Sequence, residues 1–231
     1  MELKGRLRLI AGKVPKCRVV CDIGTDHAYI PVYLAERDIC VKAVATDIKK
    51  GPLKLAEENI DRYGLSDIIE TRLCDGLQEI RQDESDVIVI AGMGGLLISR
   101  ILEDSIDIAD TADLLVLQPM NAVEVLREWL FNNSFEITDE ELAKEDNRIY
   151  VVITAKKSIK KYDYKEIDLY IGKKLVEKND PLVSELVKKQ LEHTNKVLEQ
   201  IKNTDDLDRT NREKFVDLNH ELNELYKDIN R

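Results

Sequence analysis

Five times between residues 17 and 121 a short apolar, mostly β-branched run stops at an acidic residue, a glycine or a proline. The stops are Asp22-Ile23-Gly24, Asp47, Asp75-Gly76, Gly92-Met93-Gly94-Gly95 and Gln118-Pro119-Met120-Asn121. Most of them hand over to an amphipathic helical segment, so strand-like and helix-like periods alternate over roughly 130 residues. Few folds satisfy that pattern. Parallel strands need long crossovers, the crossovers are helices, and the result is a mostly parallel sheet covered on both faces. The reading predicts strands at 17–23, 42–47, 68–73, 86–91 and 113–117, and helices at about 30–37, 49–63, 96–102 and through Trp129. A first helix carrying Leu3, Leu7, Ile10 and Val14 precedes them. After Phe135 the alternation ends in two strand-like runs, 135–142 and 148–155, joined by the turn formers Lys144-Glu145-Asp146-Asn147, which predicts a hairpin closing the sheet.

The first stop points to a nucleotide-type cofactor. Gly24 lets a ligand approach the backbone closely, and the following helix aims its free amides over the loop. A dinucleotide fingerprint would need a glycine at 26, where Asp26 stands, and that carboxylate would repel a pyrophosphate. A sulfonium cation would not be repelled.

With 231 residues and 43% apolar content the chain supports one good core and an appendage. No apolar run reaches the roughly 18 residues of a membrane span, and the first residues lack the apolar core of a secretion signal, so a cytoplasmic protein is expected. Cys17, Cys21, Cys40 and Cys74 form no C-x-x-C pair and read as buried thiols. His193 and His220 stand alone on charged helical stretches, and no metal is expected.

The net charge of −10 is segregated: residues 1–18 hold six basic and one acidic residue, residues 66–155 six basic and twenty acidic, and residues 156–202 twelve lysines and eight acids. Either the two basic stretches form one positive surface, or they are separate solvated helix faces. Beyond 156 the strand pattern is absent. Asp180-Pro181 starts a helix with the stripe Val183, Val187, Leu191, Thr194, Leu198 and Ile201; Asn203–Asp206 forms a turn. Thr210-x-x-Glu213 resembles a capping box before the stripe Leu218, Leu222, Leu225 and Ile229. These predict an antiparallel helical hairpin with a further helix at about 163–178, hence two domains, 1–158 and 159–231.

A five-stranded parallel sheet closed by a hairpin resembles the class I S-adenosylmethionine-dependent methyltransferases, a Rossmann-like fold. More narrowly, the loops Asp22-Ile23-Gly24-Thr25-Asp26-His27-Ala28-Tyr29-Ile30-Pro31, Ala91-Gly92-Met93-Gly94-Gly95 and Leu117-Gln118-Pro119 resemble those of the bacterial tRNA (adenine-22, N1)-methyltransferase family over essentially the full length. The resemblance implies S-adenosylmethionine as cofactor, tRNA as partner, methyl transfer to N1 of adenine 22 in the D-arm, and a coiled-coil C-terminal domain. The usual second and third glycines of the methyltransferase loop are replaced by Asp26 and Ala28. A small-molecule methyltransferase with a helical oligomerisation tail is the alternative.

The resemblance also assigns residues. Asp22, Gly24, Thr25, His27, Asp47, Asp75, Gly76 and Gly92 are the implied cofactor-binding set. Asp47, 23 residues after Gly24, suits the ribose hydroxyls, and Asp75 suits the adenine amino group. Asp26, Tyr29, Met93 and Gln118 are the candidates at the reacting centre. Each has a plainer reading: Asp26 as a helix cap, Tyr29 and Met93 as packing, and Gln118 with Asn121 as caps of the Trp129 helix. Where enzymes that methylate exocyclic amines carry an Asn/Asp-Pro-Pro-aromatic motif, this chain reads Ala91-Gly92-Met93-Gly94, a backbone floor compatible with a ring nitrogen that needs positioning more than deprotonation. Gly94, Gly95, Pro119 and Asn121 are then substrate-side candidates, with Arg6, Arg8, Lys156, Lys157, Lys160 and Lys161 as phosphate contacts.

Overall fold

The computed structural model describes residues 1–160, 162–201 and 209–231. Two compact units are present, Met1–Asp163 and Tyr164–Arg231. The first opens with α1 (Gly5–Lys13) and continues β1 (Cys17–Ile23), α2 (Tyr29–Ala35), β2 (Cys40–Asp47), α3 (Lys50–Arg62), β3 (Ile69–Leu73) and β4 (Val87–Met93). It is completed by α4 (Gly95–Asp104), a short α5 (Ile106–Ala109), β5 (Leu114–Pro119), α6 (Val123–Asn132), β6 (Phe135–Glu145) and β7 (Arg148–Lys157). The seven strands lie in the order β3-β2-β1-β4-β5-β7-β6. β1 to β5 are parallel, and β7 returns antiparallel between β5 and β6. This is the mostly parallel sheet that the alternation predicts, closed by an antiparallel hairpin as the resemblance to the Rossmann-like methyltransferases implies.

Burial explains why these runs are strands. Val20, Val87, Ile88, Val89, Ile90, Leu115, Val116 and Leu117 are essentially inaccessible, as expected of central strands covered on both faces. The edges are different: β6 mixes buried with partly exposed residues, and in β3 only Ile69 is buried. The strands start together because Asp86 ties two of them, its carboxylate accepting from the backbone N–H groups of Arg18 at 2.6 Å and Val19 at 2.9 Å. Because the chain builds outward from β1 to β3 and then crosses back to β4 on β1's other side, the connections diverge between β1 and β4. Such a switch point opens a crevice at the carboxyl ends of the strands.

The hairpin is longer than the sequence suggests. Its strands take in Lys144 and Glu145, leaving Asp146-Asn147 as the turn, with Asp146 at φ +51°. A buried ion pair joins it to α6: Arg127 Nε donates to Glu140 Oε1 at 2.7 Å, and both side chains are inaccessible.

In the second unit the single helix predicted at 163–178 is two, α7 (Glu166–Ile171) and α8 (Lys173–Glu177), because Gly172 at φ +89° breaks it. α9 (Val183–Ile201) and α10 (Arg209–Ile229) pack together. Asn219 Nδ2 donates to Thr194 Oγ1 at 2.7 Å and Ser184 Oγ to Asn230 Oδ1 at 3.0 Å; earlier residues of one helix meet later residues of the other, so the pair is antiparallel. Val183, Val187, Leu218 and Leu222 are buried in the seam. The predicted turn at 203–206, the cap at Thr210, the side chain of Ile201 and Lys161 lie outside the described residues. Among the described residues no helix is long and apolar enough to cross a membrane, and no group of three or more His, Cys, Asp or Glu side chains could hold a metal.

Removing one partner of the Arg127–Glu140 pair takes a 2.7 Å charged contact away from a side chain held out of water. Glu140→Ala is therefore expected to lower unfolding stability by about 3–5 kcal/mol in urea titrations, and the double replacement Arg127→Met with Glu140→Leu to lose much less.

Candidate active site

The carboxyl ends of β1 and β4 frame a cleft of about 260 Å³ lined by Arg6, Leu7, Asp22, Gly24, Thr25, Asp26, Tyr29, Ile30, Ala91 and Gly92. Its loop after β1 is shaped by backbone. Gly24 lies at φ +73°, and a Cβ there would stand 2.1 Å from the Met93 methyl. Asp26 and Ala28, the residues that replace the usual glycines, keep a glycine-like backbone at φ +55° and +54°. Left-handed backbone costs a non-glycine residue on the order of 1–2 kcal/mol, a strain that functional loops tolerate. Thr25 N–H donates to the Thr46 carbonyl at 2.8 Å and so anchors the loop to β2.

Asp22 is the electrostatic centre. It is 4% exposed, its one side-chain partner is the Thr25 hydroxyl at 2.6 Å, and burial pushes its carboxyl up to about 6 while the Thr25 hydrogen bond pulls it down. Asp26 is its opposite: its side chain is 67% exposed and approaches His27 Nε2 at 3.5 Å. α2 has no side-chain cap, so the capping role open to Asp26 in the sequence is not the one it takes. His27 stacks on Tyr29 with ring centroids 5.1 Å apart, and its carbonyl accepts from Asn59 Nδ2 at 2.9 Å.

Along the same sheet edge, Asp47 ends β2 with Oδ1 accepting the Lys49 N–H at 2.8 Å, and its carbonyl accepts the Cys74 N–H at 3.0 Å. Asp75 is exposed beyond β3. Gly76, at φ +57°, packs where a Cβ would touch Ile101. On the other side, β4 and β5 shift register at Gly92. The two following loops are stitched together: Met120 N–H donates to Met93 O at 2.7 Å and Gly95 N–H to Asn121 O at 2.9 Å. Side chains at 94 and 95 would collide with Asn121 Oδ1 and the Ala122 carbonyl. Leu96, Leu97 and Met120 remain exposed on this rim.

The structure gathers the residues expected at β1 and β4 and sets Asp47, Asp75 and Gly76 beside them at the ends of β2 and β3. Others it places elsewhere. Gln118, a candidate at the reacting centre, is fully buried; its Nε2 donates to Pro119 O at 2.8 Å and its Oε1 accepts from Arg6 Nη1 at 3.4 Å. Arg8 is exposed, whereas Arg6 turns into the cleft wall. Lys156 and Lys157 sit at the end of β7, which pairs Ala155 with Leu115 near the start of β5, so they occupy the edge opposite the cleft. Lys157 is engaged there, 2.7 Å from Asp110 and 3.0 Å from the Asn133 carbonyl. Lys160 is exposed. Lys13, part of the basic helix, pairs with Asp139 and Glu141. Sequence reasoning missed Glu145 and Tyr150, the hairpin residues flanking Arg6, and Gly5 was the one available sign of a close approach there.

A family model described as a methyltransferase domain matches residues 3–153. The tRNA (adenine(22)-N(1))-methyltransferase of Bacillus subtilis (strain 168) is 33% identical over 233 residues, covering 99% of this chain and 97% of that protein. The crystal structure of the B. subtilis m1A22 tRNA methyltransferase TrmK aligns with TM-score 0.88 at 31% identity, covering 97% of this chain and 99% of that one. M. capricolum TrmK in complex with S-adenosylhomocysteine aligns with TM-score 0.79 at 26% identity, covering 100% and 99%.

Because the Asp22 carboxyl rises from 3.8 to about 6 on folding, burial costs nothing below the unfolded value and its full penalty once pH exceeds about 6. Asp22→Asn should therefore stabilise the free protein by on the order of 3 kcal/mol at pH 8, and the gain should shrink to nothing between pH 6 and pH 4. Chemical denaturation across that range checks it.

Proposed function

The chain belongs to the tRNA (adenine(22)-N(1))-methyltransferase family, and from that premise we propose that the β1–β4 cleft binds S-adenosylmethionine and directs its methyl group to N1 of adenine 22. The observation that carries this reading is the buried Asp22 carboxylate beside a glycine loop. An ionised group held out of water with one hydroxyl partner favours a cation, and the cofactor brings an ammonium and a sulfonium.

The residues present suit the cofactor. Gly24 leaves room for close approach, Asp47 offers its second carboxylate oxygen to vicinal ribose hydroxyls, and Asp75 stands where an adenine amino group would donate. Arg6 is the one Arg or Lys among the described cleft-lining residues, and it meets the amino-acid carboxylate. When bound, the cofactor supplies an electrophilic methyl group on sulfur.

The protein's task is then to present N1. Its in-plane lone pair would need no base before attack: the N–CH3 bond would form as the S–CH3 bond breaks, the S–CH3 electron pair staying on the thioether sulfur and the positive charge passing to the purine ring. Asp26, exposed at the cleft and not used as a cap, lies where a carboxylate would stabilise that charge. An adenine in a tRNA arm must leave its stack to reach such a cleft, which costs a few kcal/mol. Exposed Tyr29, Leu96, Leu97 and Met120 supply apolar surface for the extruded base and for its former neighbours. Both tRNA and S-adenosylmethionine are cytoplasmic, and the reading includes that location. Removing residues 162–231 is expected to leave a folded cofactor-binding unit and to impair tRNA methylation, whether the helical unit contacts tRNA or pairs two chains.

Methyl transfer to a tRNA transcript from labelled cofactor tests the proposal: label should appear on adenine 22 and vanish when that position is guanine, and label elsewhere would refute it. Asp47→Ala should weaken cofactor binding by about 1–3 kcal/mol in calorimetry. Leu96→Ser with Leu97→Ser should leave cofactor affinity intact while tRNA methylation falls roughly tenfold, the equivalent of 1.4 kcal/mol.

A further inference from the structure

The first turn of α1 is held by a residue far along the chain. Arg6 N–H, one of the helix's free initial amides, donates to Glu145 Oε1 at 2.7 Å, and Glu145 comes from the tip of the β6–β7 hairpin. The approach depends on Gly5. Its φ is +52°, and a Cβ there would stand 2.1 Å from the same carboxylate oxygen. Glu145 thus caps α1 in a place where α1 has no cap of its own, since Lys4 makes no side-chain cap hydrogen bond.

The same contacts surround the Arg6 side chain. Glu145 Oε2 lies 3.7 Å from Nε, the Tyr150 ring centroid lies 5.7 Å from the guanidinium carbon, and Nη1 donates to the buried Gln118 at 3.4 Å. The hairpin, the helix and β5 therefore fix one cation at the wall of a cleft that otherwise carries the carboxylates Asp22 and Asp26.

We propose that Glu145 is a positioning residue, docking the first turn of α1 through Gly5 so that Arg6 is preorganised for the amino-acid carboxylate of S-adenosylmethionine. The inference rests on the cofactor reading of the cleft. A cation free to swing must be ordered when it binds; one already held in place loses less entropy. Glu145 touches neither cofactor nor tRNA in this account and acts through Arg6.

Decarboxylated S-adenosylmethionine, which keeps the sulfonium and ammonium and lacks only the carboxylate, separates positioning from general structure. Calorimetric affinities for it and for S-adenosylmethionine are compared in the full-length wild type and in Glu145→Ala, Glu145→Gln, Gly5→Ala and Arg6→Ala, with thermal melting to establish folding. Glu145→Ala and Gly5→Ala should each bind S-adenosylmethionine roughly three- to tenfold more weakly, the size of one hydrogen bond's net contribution, while affinity for the decarboxylated compound stays within about twofold. Glu145→Gln, whose carboxamide oxygen can still accept the Arg6 N–H, should keep the wild-type preference. If Arg6→Ala abolishes the preference and folded Glu145→Ala retains it, the role of Glu145 is overturned. Equal losses for both compounds overturn it as well, since they describe a structural residue. If Arg6→Ala itself keeps the preference, the assignment of Arg6 to the carboxylate fails first.

Discussion

A carboxylate buried at the end of the central strand is the interaction on which this molecule turns. Asp22 sits where β1 stops and the chain's crossovers diverge to either side, so the sheet can leave a crevice there and nowhere else along its parallel part. Keeping that carboxylate ionised near neutral pH costs the free fold on the order of 3 kcal/mol even after the Thr25 hydroxyl has offset part of the burial. Two non-glycine residues in left-handed backbone add to the cost. The surrounding structure tolerates it because β1 and β4 are anchored at their other ends by Asp86 and are dry over 20–23 and 87–90. A ligand cation recovers that energy, so the destabilised loop is also a source of binding free energy.

Electrostatics away from the cleft answer how a chain of net charge −10 serves a polyanion. Lys156 and Lys157 do not supply a positive cleft wall: β7 runs antiparallel, so its end lies at the far edge of the sheet, and Lys157 is held by Asp110. Lys4, Arg8 and Arg148 are exposed: the first two neighbour Arg6 in the N-terminal segment, and Arg148 pairs with Glu145 at the hairpin tip. Basic residues close to the cleft mouth can steer a phosphate backbone while the acidic remainder of the surface discourages indiscriminate binding.

Much of this was legible in the sequence, for identifiable reasons. The five parallel strands were marked by β-branched runs that end in residues no strand interior wants, and of the residues marked at those ends Asp22, Gly24 and Gly92 line the cleft. The hairpin's closing role was also legible, though not its reach, since Lys144 and Glu145 resemble turn residues in composition and only their pairing with Ile149 and Arg148 makes them strand. Gly172 splits a helix because its φ is +89°, which a lone glycine in a helical pattern does not announce. Arg6 and Lys157 mark the harder limit. A helical stripe says which face of α1 is apolar and not what that face covers, so Arg6 read as surface. The location of Lys157 depends on strand order and register, and Glu145 meets Arg6 across 139 positions. Local pattern carries neither fact.

The central claim is that one crevice, between β1 and β4, holds the cofactor with its amino-acid end between Asp22 and Arg6 and its ribose at Asp47. A crystal structure of the full chain with S-adenosylhomocysteine measures this directly. The account predicts the ribose hydroxyls within hydrogen-bond distance of Asp47, the thioether over Gly24, and the amino-acid carboxylate on the Arg6 guanidinium. A cofactor product bound elsewhere on the sheet edge, or seated in the crevice with Asp47 and Arg6 both out of contact, would contradict it.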